Sequence, residues 1–143
     1  MRVLGFDPGT LRMGVGVVDS KNGDLSTPYY ACLTAPQTDS IETRLMKLFN
    51  QIDQLVLKMN PDYIAVETAF VSKNPKTAIA IGQAQATVLI AGAKHKIPIT
   101  KYAPREIKKS ITNYGGASKG QVAEMVQILL DNTSIEGPDD ITD

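Results

Sequence analysis

The chain has 143 residues, in which fifteen basic and fifteen acidic side chains balance to a net charge of zero. This balance argues against an indiscriminate polyanion binder, and the single cysteine excludes an internal disulfide. No apolar run approaches the ~20 residues needed to span a bilayer, and no separate apolar segment follows the N-terminus as in a secretion signal. We therefore expect one soluble, cytoplasmic domain over residues 1–143, large enough to bury roughly two-thirds of its unfolded surface.

The charges are distributed unevenly along this neutral chain. Residues 70–120 hold nine basic side chains and one acid, a surplus of eight positive charges. Residues 131–143 hold five acids and no base. A basic surface beside a cluster of acids suits an enzyme that binds a polyanion while its carboxylates bind metal ions.

The first two elements form a predicted β-hairpin. Val3, Leu4 and Phe6 are strand formers, residues 7–10 read Asp-Pro-Gly-Thr, and a second apolar run covers residues 13–18. The first strand thus delivers the carboxylate of Asp7 to the edge of a sheet. The alternative is that Asp7 only caps the turn.

A third strand over residues 29–34 and a long amphipathic helix follow. Asp39 and Glu42 have the D-x-x-E form of a helix start, and apolar residues then recur at helical spacing as far as Met59. Residues 63–67 form a compact apolar run that predicts a buried strand parallel to the first. It ends in Glu67, so Asp7 and Glu67 would meet at one end of the sheet if the strands are neighbours.

The second half predicts one more strand and three helices. Asn74 and Pro75 are typical of an N-cap and a first helical residue, and Gly82 and Gly92 in the helix that follows predict close packing with another element. Ser118 and Gln121 form a capping box at the start of a later helix. The predicted elements are a helix over 78–93, a strand over 97–102, a helix over 104–110 and a helix over 122–130.

Two further acids stand near the end of the chain. Asp140 and Asp143 are three residues apart, so they would share one face of a last helix. With Asp7 and Glu67 they make four carboxylates from three segments, hard oxygen ligands that suit Mg²⁺ or Mn²⁺. Two such ions can activate water and stabilise the leaving oxygen of a phosphodiester. The alternative for Asp140 and Asp143 is that they are only helix-start charges.

Several motifs, in order along the chain, resemble those of the RuvC family of Holliday junction resolvases. They are Phe6-Asp-Pro-Gly-Thr10, Val66-Glu-Thr-Ala-Phe-Val-Ser-Lys-Asn-Pro-Lys76, Ile81-Gly-Gln-Ala84, Tyr102-Ala-Pro-Arg-Glu-Ile-Lys-Lys109 and Ala117-Ser-Lys119. The resemblance implies an α/β RNase H-like fold with a mixed five-stranded sheet flanked by helices. It also implies a homodimer that makes paired symmetrical nicks in four-way junction DNA during recombination and repair, associated with the RuvA-RuvB branch-migration complex.

The same resemblance assigns roles to individual residues. Asp7, Glu67, Asp140 and Asp143 fall on the four catalytic acids, which implies two Mg²⁺ ions per active site, replaceable by Mn²⁺. Phe70 falls on an aromatic that contacts DNA bases, and Lys108 and Lys119 fall on basic residues beside the scissile phosphate. The DNA-binding residues expected in all are Phe70, Lys73, Asn74, Lys76, Arg105, Lys108, Lys109 and Lys119.

Three other readings stay open. An actin-like ATPase or sugar kinase also carries an Asp-x-Gly-Thr hairpin, although it needs two such domains. A non-catalytic junction-binding module would bind DNA without cutting it, and a related single-subunit RNase H-like nuclease would act on another substrate. Because Asp143 is the last residue, we also expect a chain that lacks the final part of the C-terminal helix, with weakened metal binding and low activity.

Overall fold

The computed structural model describes residues 1–68 and 74–130 as a sheet with helices packed against it. Three strands come first, and strands and helices then alternate as far as the third helix, in the order that the apolar patterns predict. In chain order, the elements are β1 (Arg2–Asp7), β2 (Arg12–Lys21), β3 (Asp24–Thr34), α1 (Ile41–Met59), β4 (Tyr63–Glu67), α2 (Pro75–Lys94), β5 (Ile99–Tyr102), α3 (Pro104–Thr112) and α4 (Lys119–Leu129).

The strands form one mixed five-stranded sheet with the order β3-β2-β1-β4-β5. β1, β2 and β3 are antiparallel neighbours, which confirms the predicted hairpin. A Cβ at Gly9 would overlap the carbonyl oxygen of Arg12, so the turn between β1 and β2 needs glycine there. β4 is parallel to β1, as predicted from its compact apolar run, and it is also parallel to β5. The pairing with β1 brings the carboxyl ends of β1 and β4 to the same edge.

Side chains alternate across the sheet, and one set forms the core. We call this side the covered face; its members on β1, β2 and β4 include Leu4, Phe6, Val15, Ile64 and Val66, all buried. The buried side of α1 and of α2 lies against it and completes the apolar cluster. The contributing helix residues are Leu48, Ile52, Leu55, Val56, Ala84, Val88 and Ala91.

Two sequence predictions about helix starts have different outcomes. Asn74 is the N-cap of α2, and its Oδ1 accepts a hydrogen bond from the Lys76 backbone N–H at 3.0 Å, as predicted. The D-x-x-E prediction for α1 is wrong by one residue, because the N-cap is Ser40. The Asp39 carboxylate instead accepts a hydrogen bond from Lys47 Nζ at 2.6 Å, so an ion pair takes the place of the cap.

Other boundaries and packing predictions also differ in part. β3 begins at Asp24, before the predicted start, because its polar first half continues to pair with β2. Close packing holds for Gly92, where a Cβ would lie 2.5 Å from Ile99 Cδ1, but a Cβ at Gly82 meets no described atom within 4 Å. The capping box of Ser118 and Gln121 is confirmed at the start of α4.

Two further predictions concern a last helix and membrane-spanning segments. The last helix predicted around Asp140 and Asp143 lies outside the described residues. Among the described helices, none combines the length and the apolar content that crossing a membrane requires.

Candidate active site

The carboxylates of Asp7 and Glu67 come from two neighbouring parallel strands. The register pairs Gly5 with Ala65 and Phe6 with Val66, so one further step sets Asp7 opposite Glu67. Both are the last residues of their strands. The sequence prediction that these two acids meet at one end of the sheet is therefore confirmed.

Asp7 and Glu67 also belong to the side of the sheet opposite the core. We call this side the open face, since the small residues Gly5, Gly16 and Ala65 occupy its centre and a cavity of about 530 Å³ lies over it. Both carboxylate residues line that cavity and are half-buried. α3 borders the same cavity through Ile107 and Ser110. Small side chains thus leave room in front of the acids.

Backbone and side-chain hydrogen bonds fix the end of β4 where Glu67 lies. The Thr68 backbone N–H donates to the Tyr102 carbonyl at 2.8 Å, and the Thr68 hydroxyl donates to the same oxygen at 3.2 Å. From α2, Gln85 Nε2 donates to the Glu67 carbonyl at 3.0 Å. The strand end that carries the carboxylate is therefore attached to both β5 and α2.

The basic residues predicted to bind DNA divide between two regions. Lys108 is half-buried and lines a small cavity of about 130 Å³ together with Glu67, so this lysine lies beside one of the acids. Arg105, Lys109 and Lys119 are exposed on α3 and α4. A positive surface of this kind near a carboxylate can bind phosphate and stabilise developing negative charge.

The remaining predicted residues are only partly within the described structure. Asn74 and Lys76 are exposed at the first turn of α2. Phe70, Lys73, Asp140 and Asp143 lie outside the described residues, so two of the four predicted metal ligands have described positions. Over residues 1–68 and 74–130, no group of three His, Cys, Asp or Glu side chains could hold a metal ion.

Sequence reasoning did not identify Gln85 or Tyr102 as parts of this site. Tyr102 pairs with Glu67 in the β4–β5 register and lines the same cavity. Gln85 lies 18 positions after the carbonyl that it binds. The predicted strand over 97–102 carried a signal for Tyr102, since it ends at that residue, whereas the Gln85 contact depends on how α2 packs on β4.

Two acids away from the open face, Asp19 and Asp53, have direct partners. At the opposite end of the sheet, Arg2 donates to both carboxylate oxygens of Asp19 at 2.7 Å, and these hydrogen bonds lower the pKa of Asp19. Between the helices, Asp53 accepts a hydrogen bond from Lys94 at 2.8 Å, and its other oxygen lies 2.7 Å from His95 Nε2. The hydrogen bond from Lys94, followed by that to His95, lowers the pKa of Asp53. We therefore assign Asp19 and Asp53 to the stability of the fold and not to the candidate site.

Comparison with solved structures defines the class of protein. Over 99% of this chain and 87% of the other, the fold matches that of Thermus thermophilus RuvC in complex with a Holliday junction substrate, with a TM-score of 0.92 and 25% identity. The yeast mitochondrial Holliday junction resolvase Ydc2 shares the fold, with a TM-score of 0.63 and 16% identity over 98% of this chain and 74% of the other. The fold is that of a resolvase-type, RNase H-like nuclease.

The sequence comparisons then identify the family. The sequence model of crossover junction endodeoxyribonuclease RuvC matches residues 3–143. The RuvC proteins of Dehalococcoides mccartyi strain BAV1 and Dictyoglomus thermophilum are each 41% identical over the whole chain, which covers 86% and 90% of their lengths. The chain belongs to the RuvC family of crossover junction endodeoxyribonucleases, and this membership confirms the predicted enzyme class and implies dependence on a divalent metal ion.

Proposed function

We propose that this chain resolves Holliday junctions by paired symmetrical nicks through two-metal-ion phosphodiester hydrolysis, with Asp7, Glu67, Asp140 and Asp143 as the ligands. The observation that carries the proposal is the β1–β4 register, since it brings Asp7 and Glu67 to one edge of the open face. The chain belongs to a family of endodeoxyribonucleases, which supports hydrolysis of a phosphodiester bond as the reaction.

The donor chemistry of this edge fits a hard divalent cation. Two carboxylates on adjacent strands supply oxygen ligands of the kind that Mg²⁺ and Mn²⁺ prefer. A pair of such ions, when bound, supplies an activated water and stabilises the leaving oxygen. The half-buried position of Asp7 and Glu67 at the cavity edge leaves room for a phosphodiester in front of them.

The protein's own cations would hold the DNA in position. Lys108 lines a cavity with Glu67, so its ammonium group is suited to the phosphate nearest the acids. Arg105, Lys109 and Lys119 on α3 and α4 would contact neighbouring phosphates without reading sequence. From the start of α2 and the preceding segment, the proposed contacts are Phe70, Lys73, Asn74 and Lys76, with Phe70 stacking on a base.

A homodimer fits both the substrate and the surface of α2. A four-way junction has near two-fold symmetry, so two sites related by a two-fold axis could cut opposing strands. Ile79 and Ile90 on α2 are 63% and 58% exposed, and their separation of eleven residues sets them on one face of the helix. Two large apolar side chains exposed on one face of a helix support a subunit interface on α2. We further propose that the chain acts as one domain in the cytoplasm. Its partner there would be a branch-migration complex of the RuvA-RuvB type.

The test is cleavage of a synthetic four-way junction labelled on each strand in turn, beside a linear duplex of the same sequence, with Mg²⁺ or Mn²⁺. We expect nicks at symmetrical positions in two opposing strands of the junction and no comparable cutting of the duplex. Junction binding without nicks in any divalent cation would overturn the proposal and leave a binding module. Thermal stabilisation by ATP without nicks would favour the actin-like alternative.

A further inference from the structure

The hydrogen bond from Gln85 to the end of β4 occupies a position that the sheet itself cannot fill. The Ile64 and Thr68 backbone N–H groups donate to the carbonyls of Pro98 and Tyr102, so the even-numbered residues of β4 bond to β5. N–H and C=O groups of alternate residues point to opposite neighbours along a strand within a sheet. The Glu67 carbonyl therefore faces the β1 side.

The residue of β1 that would donate to this carbonyl is a proline. In a parallel ladder, the carbonyl of a residue accepts from the N–H of the residue after its partner. The register sets Asp7 opposite Glu67, so the donor position falls on Pro8, which has no N–H. The β1–β4 ladder thus ends one hydrogen bond short, at the strand end that carries the proposed metal ligand.

We propose that Gln85 is a positioning residue for Glu67, because its side-chain amide replaces the backbone donor that Pro8 cannot supply. Gln85 Nε2 lies 3.0 Å from the Glu67 carbonyl oxygen, and the contact is partly buried. With Thr68 attached to Tyr102 on the other side, this bond fixes the backbone from which the carboxylate projects. The inference rests on the metal-ligand role proposed above for Glu67.

Pro8 and Gln85 then have complementary reasons to be present. Pro8 is buried and starts the turn after Asp7, where its fixed φ favours a sharp departure from the strand. The loss of one ladder donor is the cost of that turn. A glutamine on α2 offsets the loss without adding charge beside two carboxylates, which a lysine or arginine donor would do.

The test uses Gln85→Met, which keeps the length of the side chain but removes the donor. Gln51→Met is a matched control, since Gln51 Nε2 also donates to a strand-end carbonyl, that of Thr34, at 3.1 Å on the far edge of the sheet. Two readouts are independent of cleavage: amide hydrogen exchange at Thr68 and Mn²⁺ affinity by calorimetry. We expect Gln85→Met to speed exchange roughly 5- to 10-fold and to weaken Mn²⁺ binding about 10-fold, and Gln51→Met to change neither.

Pro8→Ala separates a role of Gln85 in positioning Glu67 from a role in packing α2 against the sheet. It restores a backbone N–H at the ladder position, so Gln85→Met in the Pro8→Ala background should change exchange and Mn²⁺ affinity less than about threefold. Equal losses in both backgrounds, or no loss in either, would overturn the inference. Gln85→Leu also lacks a donor and adds no charge beside the two carboxylates, and it should reproduce the loss if the methionine variant does not fold.

These readouts keep this inference distinct from the proposed function. If the unsubstituted chain cuts no junction while Gln85 and Pro8 remain coupled in Thr68 exchange, the function proposal fails and the positioning of Glu67 stands. If junctions are cut but the coupling is absent, the positioning inference fails alone.

Discussion

The two faces of the sheet differ in what their side chains do. The covered face carries large apolar residues such as Leu4 and Ile64, which α1 and α2 bury. The open face carries Gly5, Gly16 and Ala65 beneath a cavity, with Asp7 and Glu67 at its edge. Because each strand supplies alternate residues to both faces, the same segments provide stability on one side and chemistry on the other.

Asp7→Asn should separate the faces most strongly. We expect the rate of junction cleavage to fall about 10³-fold or more, because a metal ligand worth several kcal/mol of transition-state stabilisation is lost. The melting temperature should not fall, since Asp7 is outside the apolar core. Single-turnover cleavage and thermal unfolding of Asp7→Asn, with the exposed Asp24→Asn as control, measure both. A fall in cleavage matched by a fall in stability would contradict the division.

Ile52→Ala should have the opposite effect on the covered face. Ile52 is fully buried on α1, and its truncation removes apolar contacts and leaves a cavity. We expect unfolding to cost about 2–5 kcal/mol less, while cleavage per folded molecule stays within a few-fold of the unsubstituted chain. Urea unfolding gives the stability, and cleavage below the transition gives the activity. A specific loss of cleavage at full stability would show that the faces are not independent.

Adding one methyl group at Gly92 and at Gly16 compares the packed interior with the open face. A Cβ at Gly92 would lie 2.5 Å from Ile99 Cδ1 and 3.3 Å from Ile64 Cδ1, whereas one at Gly16 meets no described atom within 4 Å. Gly92→Ala should therefore destabilise the fold by roughly 1–3 kcal/mol through overpacking. Gly16→Ala should change stability by less than about 0.5 kcal/mol. Urea unfolding of both variants measures these changes in stability. Equal losses in the two variants would show that the packed interior and the open face do not differ in free space.

The smallest expected effect concerns the polar contact between α1 and α2. Lys94 and His95 lower the pKa of Asp53, so the ionised carboxylate stabilises the folded state at pH values above its unfolded pKa of about 3.9. This stabilisation is lost as the pH falls through the lower folded pKa. Asp53→Asn should thus lower the melting temperature slightly at neutral pH and not at acid pH. A difference that is independent of pH would contradict this role.

Much of the fold and half of the acidic site follow from local sequence patterns. Asp7 and Glu67 could be predicted to meet because each closes an apolar strand, and parallel neighbours bring such ends together. The start of α1 could not be fixed, since Asp39 and Ser40 are both residue types that favour the N-cap. In the structure Ser40 is the N-cap, and Asp39 pairs with Lys47. The prediction missed the first half of β3 because that half is polar and lacks an apolar strand pattern. It nevertheless pairs with β2 at the edge of the sheet.

The contact of Gln85 shows a second limit of sequence reasoning. A glutamine within an apolar helix has no local signal for a role, and its partner carbonyl belongs to a distant strand. The missing donor at Pro8 becomes visible only when the register of β1 and β4 is known. Local patterns thus predicted the carboxylates, while the group that supports one of them depended on tertiary packing.

The most direct test of the open face as a metal site is Mn²⁺ binding, measured by calorimetry without DNA, to the unsubstituted chain and to Asp7→Asn/Glu67→Gln. The account predicts saturable binding that the double variant loses while it unfolds at the same or a higher temperature. Equal Mn²⁺ affinity in the two proteins would contradict the assignment of Asp7 and Glu67 as ligands.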